Sequence, residues 1–406
     1  MTLKNVLFAF FVLVVMGLNV LMTYNALTSQ FAAQNDFLSR WEGARTFFVD
    51  GESPYSDTAT RNIQTMIYGR SAVTGEDEGL FVYPFYTAIL IAPLVFLPYA
   101  WAAAFIIVLL EASLIAGLLA LFGLFSWRMR PLMLGAWVLW ALFGYFGARG
   151  ILLGQLGLVV YAFQMLALWA LYKNRDVLAG VLLSLVTIKP QMSILLVPFL
   201  LLWAWRVGRY RFVTAFLGAW GVLMGASFIL SPSWFGDWIV QVQRYPSYTR
   251  DGSPVWVLIQ HYLGLGDVVE GGINALLLGL LAWAWYGVLV QRREETFLWT
   301  VTLTLILTHT IVLKTATPHF VVFTLPLVFY GREWARKGRD WAFMGVLFVV
   351  MIAIWAHFFF TIEGNLEHLS LFLPAPFVML GLVWLTRVQW WERAPRFSFG
   401  AKGETS

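Results

Sequence analysis

The sequence predicts an all-α polytopic membrane protein: a bundle of about twelve transmembrane helices, with amphipathic helices in the first loop outside the membrane. Three observations predict it. The 406 residues are 60% hydrophobic and only 12% charged, where a soluble domain carries about a quarter charged residues. Apolar runs long enough to span a bilayer recur from end to end. The 21 Trp, 15 Tyr and 34 Phe suit lipid-facing and interfacial positions. The net charge of +5 is a matter of loop topology, so the expected partner is the lipid bilayer and not nucleic acid. With no Cys, the chain forms no disulfide and no thiolate metal site.

Taken in order, the candidate spans are 5–27, 82–98, 101–126, 132–148, 152–171, 177–188, 190–205, 212–231, 272–291, 296–313, 319–331, 341–361 and 371–387. The first lacks a small-residue cleavage site and is read as a retained helix. Several are shorter than a straight crossing needs, as in helices that line a buried cavity. The whole chain, 1–406, is expected to be one integral membrane domain.

Orientation follows from Lys and Arg. With the N-terminus in the cytoplasm, Lys4, Arg128/Arg130, Lys173/Arg175, Arg206/Arg209/Arg211, Arg292/Arg293, the 332–339 turn and the C-terminal tail fall inside, 18 of the 27 bases. The 29–81 loop, with eight acids against four bases, falls outside, as does the second large loop, 232–271. Both termini are then cytoplasmic in a multi-pass cell-membrane protein. Thirteen segments cannot join two cytoplasmic ends, so one must fail to cross. The choice is 82–98, which is short and bounded by Pro84 and Pro98.

Three stretches outside the spans read as amphipathic. Residues 34–49 place Phe37, Trp41, Ala44 and Phe48 on one helical face, with Arg40 one turn after Asp36. Residues 57–69 carry Ile63, Met66 and Ile67, and 234–245 form the third. Such helices can form a shelf at the mouth of a membrane cavity.

Polar groups that are expensive at depth collect on the outer side: Asp36, Arg149, Gln155, Lys189, His309, Lys314 and His319. Lys189-Pro190 interrupts what is otherwise one long apolar run. The proline removes a backbone donor, and the lysine needs an anion or water, or else snorkels to the interface. Arg149, before Gly154-Gln155, offers a guanidinium to phosphate or anchors the interface. Lys314 and His319 flank Pro318 at another outer turn, where a structural histidine is the plainer reading. For Asp36 the plain reading is a helix N-terminal carboxylate satisfying free N–H groups. Its place just beyond the first span also suits work on a lipid head group. No HExxH, P-loop or GxSxG element occurs, so protease, nucleotide-driven pump and hydrolase readings lack support.

The order of features resembles glycosyltransferase family 87, the polyprenyl-phosphate-sugar-dependent enzymes of the GT-C superfamily. The matching residues are Asn35-Asp36-Phe37, GESPY at 51–55, Phe81-Val82-Tyr83-Pro84, Gly154-Gln155, Leu178-Ala179-Gly180 and Ile188-Lys189-Pro190. Leu153 stands where the family usually has a polar residue, and Phe85 where it often has a second proline. The resemblance implies a GT-C-like membrane hexosyltransferase, typically for mannose, acting on the extracytoplasmic face without cofactor or metal. Its substrates would be a polyprenyl-phosphate-linked sugar donor and a glycolipid or glycan acceptor. Asp36 matches the family's catalytic aspartate and would be the general base. Lys189, Arg149, Lys314, His319 and Gln155 are the available donors to the phosphate. Arg40, Tyr55 and Tyr83 are read as acceptor or sugar contacts. The competing reading is a secondary transporter or lipid flippase, and a third is a non-catalytic subunit of an envelope-assembly complex.

Overall fold

A computed structural model describes residues 3–31, 35–248, 252–364 and 366–399. Residue 34, residues 249–251 of the loop expected over 232–271, and Lys402 lie outside them. The described residues form helices, turns and one isolated bridge between Glu363 and Leu366.

Five helices are long and apolar enough to cross a membrane: Asn5–Phe31, Tyr99–Leu124, Tyr210–Leu230, Gly266–Leu289 and Asp340–Thr361. The number rises to seven if each bent pair, Pro131–Phe143 with Tyr145–Leu152 and Leu369–Leu385 with Arg387–Arg393, is one span. The chain is a polytopic membrane protein. Phe85–Leu94, Gly157–Tyr172, Asp176–Ile188 and Leu196–Arg206 are shorter apolar helices. The sequence count of about twelve treats the last three of these as crossings too and leaves out the first, which lies in 82–98. Apolar side chains of the long helices, such as Val222, Leu276 and Ile352, face outward, as suits a hydrocarbon surround.

The chain forms two compact units. The first takes residues 1–113, 150–156 and 223–250. Its first long helix is pinned to the Tyr99–Leu124 helix by Asn19, which donates to Glu111 at 2.6 Å, and by Tyr24 stacked on Trp101 at 3.8 Å. The amide satisfies a carboxylate that would otherwise be costly at that depth. Beyond it, Phe37–Phe48 is buried on most sides, Ser39, Glu42 and Thr46 as well as Phe37, Trp41 and Ala44. The sequence suggests one apolar face in the interface plane. The tertiary fold instead wedges this helix between the Asp57–Tyr68 and Phe85–Ile91 helices, with Phe81 against Gly43.

Asp57–Tyr68 begins where the Ser56 hydroxyl accepts from Ala59 N–H and ends on left-handed Gly69. Its Ile63 is fully buried, whereas Met66 and Ile67 remain exposed. Trp234–Tyr248 holds the irregular stretch 78–83 and the neighbouring Tyr55 in place. Trp238 donates to the Val82 carbonyl at 3.1 Å, Gln241 to the Tyr55 carbonyl at 3.0 Å, and Arg244 pairs with Glu78 at 2.6 Å.

The second unit takes residues 114–149, 157–222 and 251–406. Phe297–Ile311 is buried on nearly every residue. Its threonines are tolerated there because Thr302, Thr304, Thr308 and Thr310 return their hydroxyls to carbonyls four residues back. Asp176–Leu185 runs through a short 3-10 turn into Lys189, whose extended backbone (φ −131°) precedes Pro190. Proline disfavours the helical conformation in the residue before it. The break leaves carbonyls without helical partners, and Gln164 donates to that of Met192 at 2.9 Å. Arg209 pairs with Asp176 and reaches the Leu171 carbonyl at 2.9 Å. Glu333, buried, pairs with Arg336 and Arg393, both at 2.8 Å.

Candidate active site

In the first unit, Asn35-Asp36-Phe37 docks on the turn 150–156. Asp36 N–H donates to the Leu153 carbonyl at 2.9 Å, and Gln155 N–H to Gly150 at 2.9 Å. Gly154 is left-handed (φ +63°), and a Cβ there would lie 2.9 Å from the Phe37 Cβ. Only glycine admits both the backbone and the approach. The turn delivers the Gln155 amide, which donates to Asp36 Oδ2.

Asp36 stands at the N-cap position of Phe37–Phe48, yet its side chain makes no cap hydrogen bond among the described residues. Asn35 takes that role, its Oδ1 accepting from Phe37 N–H at 3.0 Å and from the Tyr99 hydroxyl at 2.7 Å. The carboxylate is therefore not consumed by the helix end. Arg40 donates to the Asp36 carbonyl and to Ser39 Oγ, and its guanidinium lies 4.8 Å from the Tyr83 ring centre. Tyr83 is held in turn by Tyr55, whose hydroxyl donates to its carbonyl at 2.8 Å.

Two more groups share this field. Burial opposes the Arg40 charge, but Tyr83, Asp36 and Tyr245 together hold its pKa above the usual value. Tyr245 is pushed up by burial, against Arg40 and with Asp36 and Asp77. The Asp77 carboxyl is pushed up by surrounding protein; the Gly79 N–H opposes this, Asp36 adds to it, and Arg40 opposes it. Asp77 Oδ1 accepts that N–H at 2.8 Å. The Asp36 carboxylate is thus held by the Gln155 amide, with the Asp77 carboxyl, the Arg40 guanidinium and the phenols of Tyr83 and Tyr245 in the same electrostatic field, and a carboxylate so placed can accept a proton.

In the second unit, Lys189, His309 and His319 are 4%, 1% and 2% exposed. The imidazole centres are 5.8 Å apart, and the ammonium is an electrostatic neighbour of both. Ala316 N–H donates to His319 Nδ1 at 3.2 Å. A backbone N–H can only donate, so the neutral ring carries its proton on Nε2. Neither Nε2 has a hydrogen-bond partner among the described residues. A Cβ on Gly157 would sit 3.0 Å from the His319 ring and 3.1 Å from the Met192 sulfur. Arg149 pairs with Glu367 through Nε at 2.7 Å. Lys314 lies partly exposed on the turn before Thr315.

A model of glycosyltransferase family 87 matches residues 81–313, more than half of the 406. The chain belongs to glycosyltransferase family 87. No curated protein and no solved structure matches it. As a family-87 protein it is a membrane glycosyltransferase, with a sugar donor and an acceptor as substrates. The matched range takes in Tyr83, Arg149, Gln155 and Lys189; Asp36, Arg40 and Tyr55 precede it, and Lys314 and His319 follow it.

Of the residues singled out from sequence, Asp36, Arg40, Tyr55, Tyr83 and Gln155 come together in the first unit. Lys189 and His319 come together in the second. Arg149 makes its ion pair with a different partner, Glu367. Asp77, Tyr99, Tyr245 and Glu367 are not among the residues the sequence offers for the site, and His309 stands there only as a polar group costly at depth, with no role assigned. His309 alone carried a usable signal, a polar ring inside an apolar run. The others lie in loops or at a helix end, where a polar residue is unremarked.

Proposed function

We propose that this family-87 glycosyltransferase moves a hexose, mannose in the first instance, from a polyprenyl-phosphate-sugar donor to a lipid or glycan acceptor. The reaction takes place on the extracytoplasmic face of the cell membrane, with both termini cytoplasmic, about twelve crossings, and the whole chain acting as one membrane enzyme. Asp36 is the general base. One observation carries this reading: the Asp36 carboxylate, at a helix N-cap, is left uncommitted to the cap because Asn35 takes that role, and Gln155 orients it.

The acceptor hydroxyl gives its proton to Asp36 as its oxygen bonds to the anomeric carbon. The bond from that carbon to phosphate oxygen breaks, and polyprenyl phosphate leaves with the electron pair. In-line displacement inverts the anomeric centre. The leaving group gains a negative charge, so it needs donors and cations rather than a general acid. Lys189 and His319 Nε2–H are assigned that task, with Arg149, Lys314 and Gln155 as further donors. Arg40, Tyr55 and Tyr83 are assigned to the sugar or acceptor.

The test is transfer from synthetic polyprenyl-phosphate-mannose to a membrane lipid extract, wild type beside Asp36→Asn, with products read by mass spectrometry. A hexose added by wild type alone supports the reading, and the product mass identifies the acceptor. Full transfer by Asp36→Asn removes Asp36 as the base. No product with mannose, but product with another lipid-linked sugar, changes the sugar and keeps the mechanism.

A further inference from the structure

Glu367 lies in the segment after the Asp340–Thr361 helix, and its side chain is 11% exposed. Both carboxylate oxygens are used. Oε1 accepts from Arg149 Nε at 2.7 Å, and Oε2 accepts from Thr317 Oγ1 at 2.7 Å. Tyr145 lies beside the same carboxylate and threonine. The Arg149 guanidinium rests 5.2 Å from the Phe358 ring centre, and Phe358 packs with Tyr145 and Leu371 in one buried cluster. One side chain therefore ties the Tyr145–Leu152 helix to the start of the Thr317–Phe323 turn.

That turn aims His319. Ala316 N–H, one residue before Thr317, donates to Nδ1, and Thr315 Oγ1 lies 3.3 Å from the same nitrogen. The direction of Nε2–H thus depends on where 315–317 sits. The Thr317 hydroxyl bond to Glu367 is a charge-assisted contact on that turn, of the stronger kind.

We propose that Glu367 is a positioning residue. It pins the Thr317 turn and so aims His319 at the donor phosphate, while its other oxygen holds Arg149. This rests on the reading of Lys189 and His319 as phosphate ligands. A carboxylate this well buried adds negative charge near a site proposed for an anion. Pairing with Arg149 offsets that charge, which is why the two bonds belong to one device.

The experiment measures the Kd for synthetic polyprenyl phosphate, by thermophoresis on detergent-purified full-length protein, with the melting temperature recorded for each variant. Glu367→Ala and Thr317→Val should each weaken binding about tenfold, and the double variant should be no weaker than Glu367→Ala alone. Thr317→Ser, which keeps the hydroxyl, should bind as wild type does. Thr317→Val removes one hydroxyl from a fold that otherwise stays whole, so it carries the test if Glu367→Ala fails to fold. Wild-type affinity in Thr317→Val, beside weakened binding in Lys189→Ala, would overturn the proposal and leave the phosphate reading standing. So would weakened binding in Thr317→Val that Thr317→Ser shares. Unchanged affinity in Lys189→Ala would overturn the phosphate reading and the positioning role with it.

Discussion

The side-chain amide of Gln155 donates to the carboxylate of Asp36, across 119 positions of sequence. The Leu153 carbonyl, two residues before that amide, accepts the Asp36 backbone N–H at 2.9 Å. The turn thus holds the acid at two points, one on its backbone and one on its side chain. This sets how the proposed base presents its oxygens.

Gln155→Leu should lower kcat about 10- to 100-fold, since hydrogen bonds to charged groups contribute about 1.5–3 kcal/mol. Gln155→Glu should do worse, placing a second negative charge beside the first. Steady-state transfer assays with saturating donor check this. Wild-type kcat in Gln155→Leu would detach the amide from the chemistry.

Gly154→Ala should lose activity at least tenfold. The substitution strains a left-handed backbone by about 1–2 kcal/mol and drives a methyl toward Phe37 and Asn35. Gly69→Ala is the control, with similar strain (φ +69°) at the end of the Asp57–Tyr68 helix but open space around the new methyl. Its stability should fall by a similar amount with activity kept. Equal activity loss in both would reduce the Gly154 effect to general destabilisation.

Arg40→Lys should retain charge yet lose about 3- to 30-fold in kcat/KM. The guanidinium reaches the Asp36 carbonyl and Ser39 Oγ while lying on Tyr83, and an ammonium does not reproduce that fork and face. Tyr83→Leu should produce a loss of comparable size, and the double variant little more. Full additivity in a double-mutant cycle would show that the two act apart.

The 69–79 loop carries a pH dependence of known sign. Arg70 grips Glu76 with both nitrogens at 2.8 Å, and Val73 N–H adds a bond at 2.9 Å. These hold the Glu76 carboxyl at about 2, below its ordinary 4.5. A depressed carboxyl stabilises the fold fully above the unfolded value and loses that contribution as pH falls through the folded one. Pepsin cleavage within 69–79 should therefore increase between pH 4.5 and 2. Glu76→Gln should be cleaved readily across that whole range, and identical pH profiles for the two proteins would refute the clasp.

Much of the architecture is legible in the chain because its causes are local. In a bilayer a long apolar run satisfies its own backbone by forming a helix, and Pro190 breaks the run at Lys189 by its own ring. The motif Asn35-Asp36-Phe37 after the first span marks the acid. What the chain alone left open about Asp36 was its partner: an N-terminal carboxylate beside free N–H groups is an ordinary cap. The tertiary structure gives the cap to Asn35, because the turn at Gly154 brings Gln155 to the acid instead. The same holds for Tyr245, which enters the field of Asp36 and Arg40 from the Trp234–Tyr248 helix, and for Glu367, whose two partners lie 218 and 50 positions away. Hydrophobicity and proline act on neighbours in sequence and can be read there. Hydrogen bonds and charge act on neighbours in space, and only the folded chain decides which residues those are.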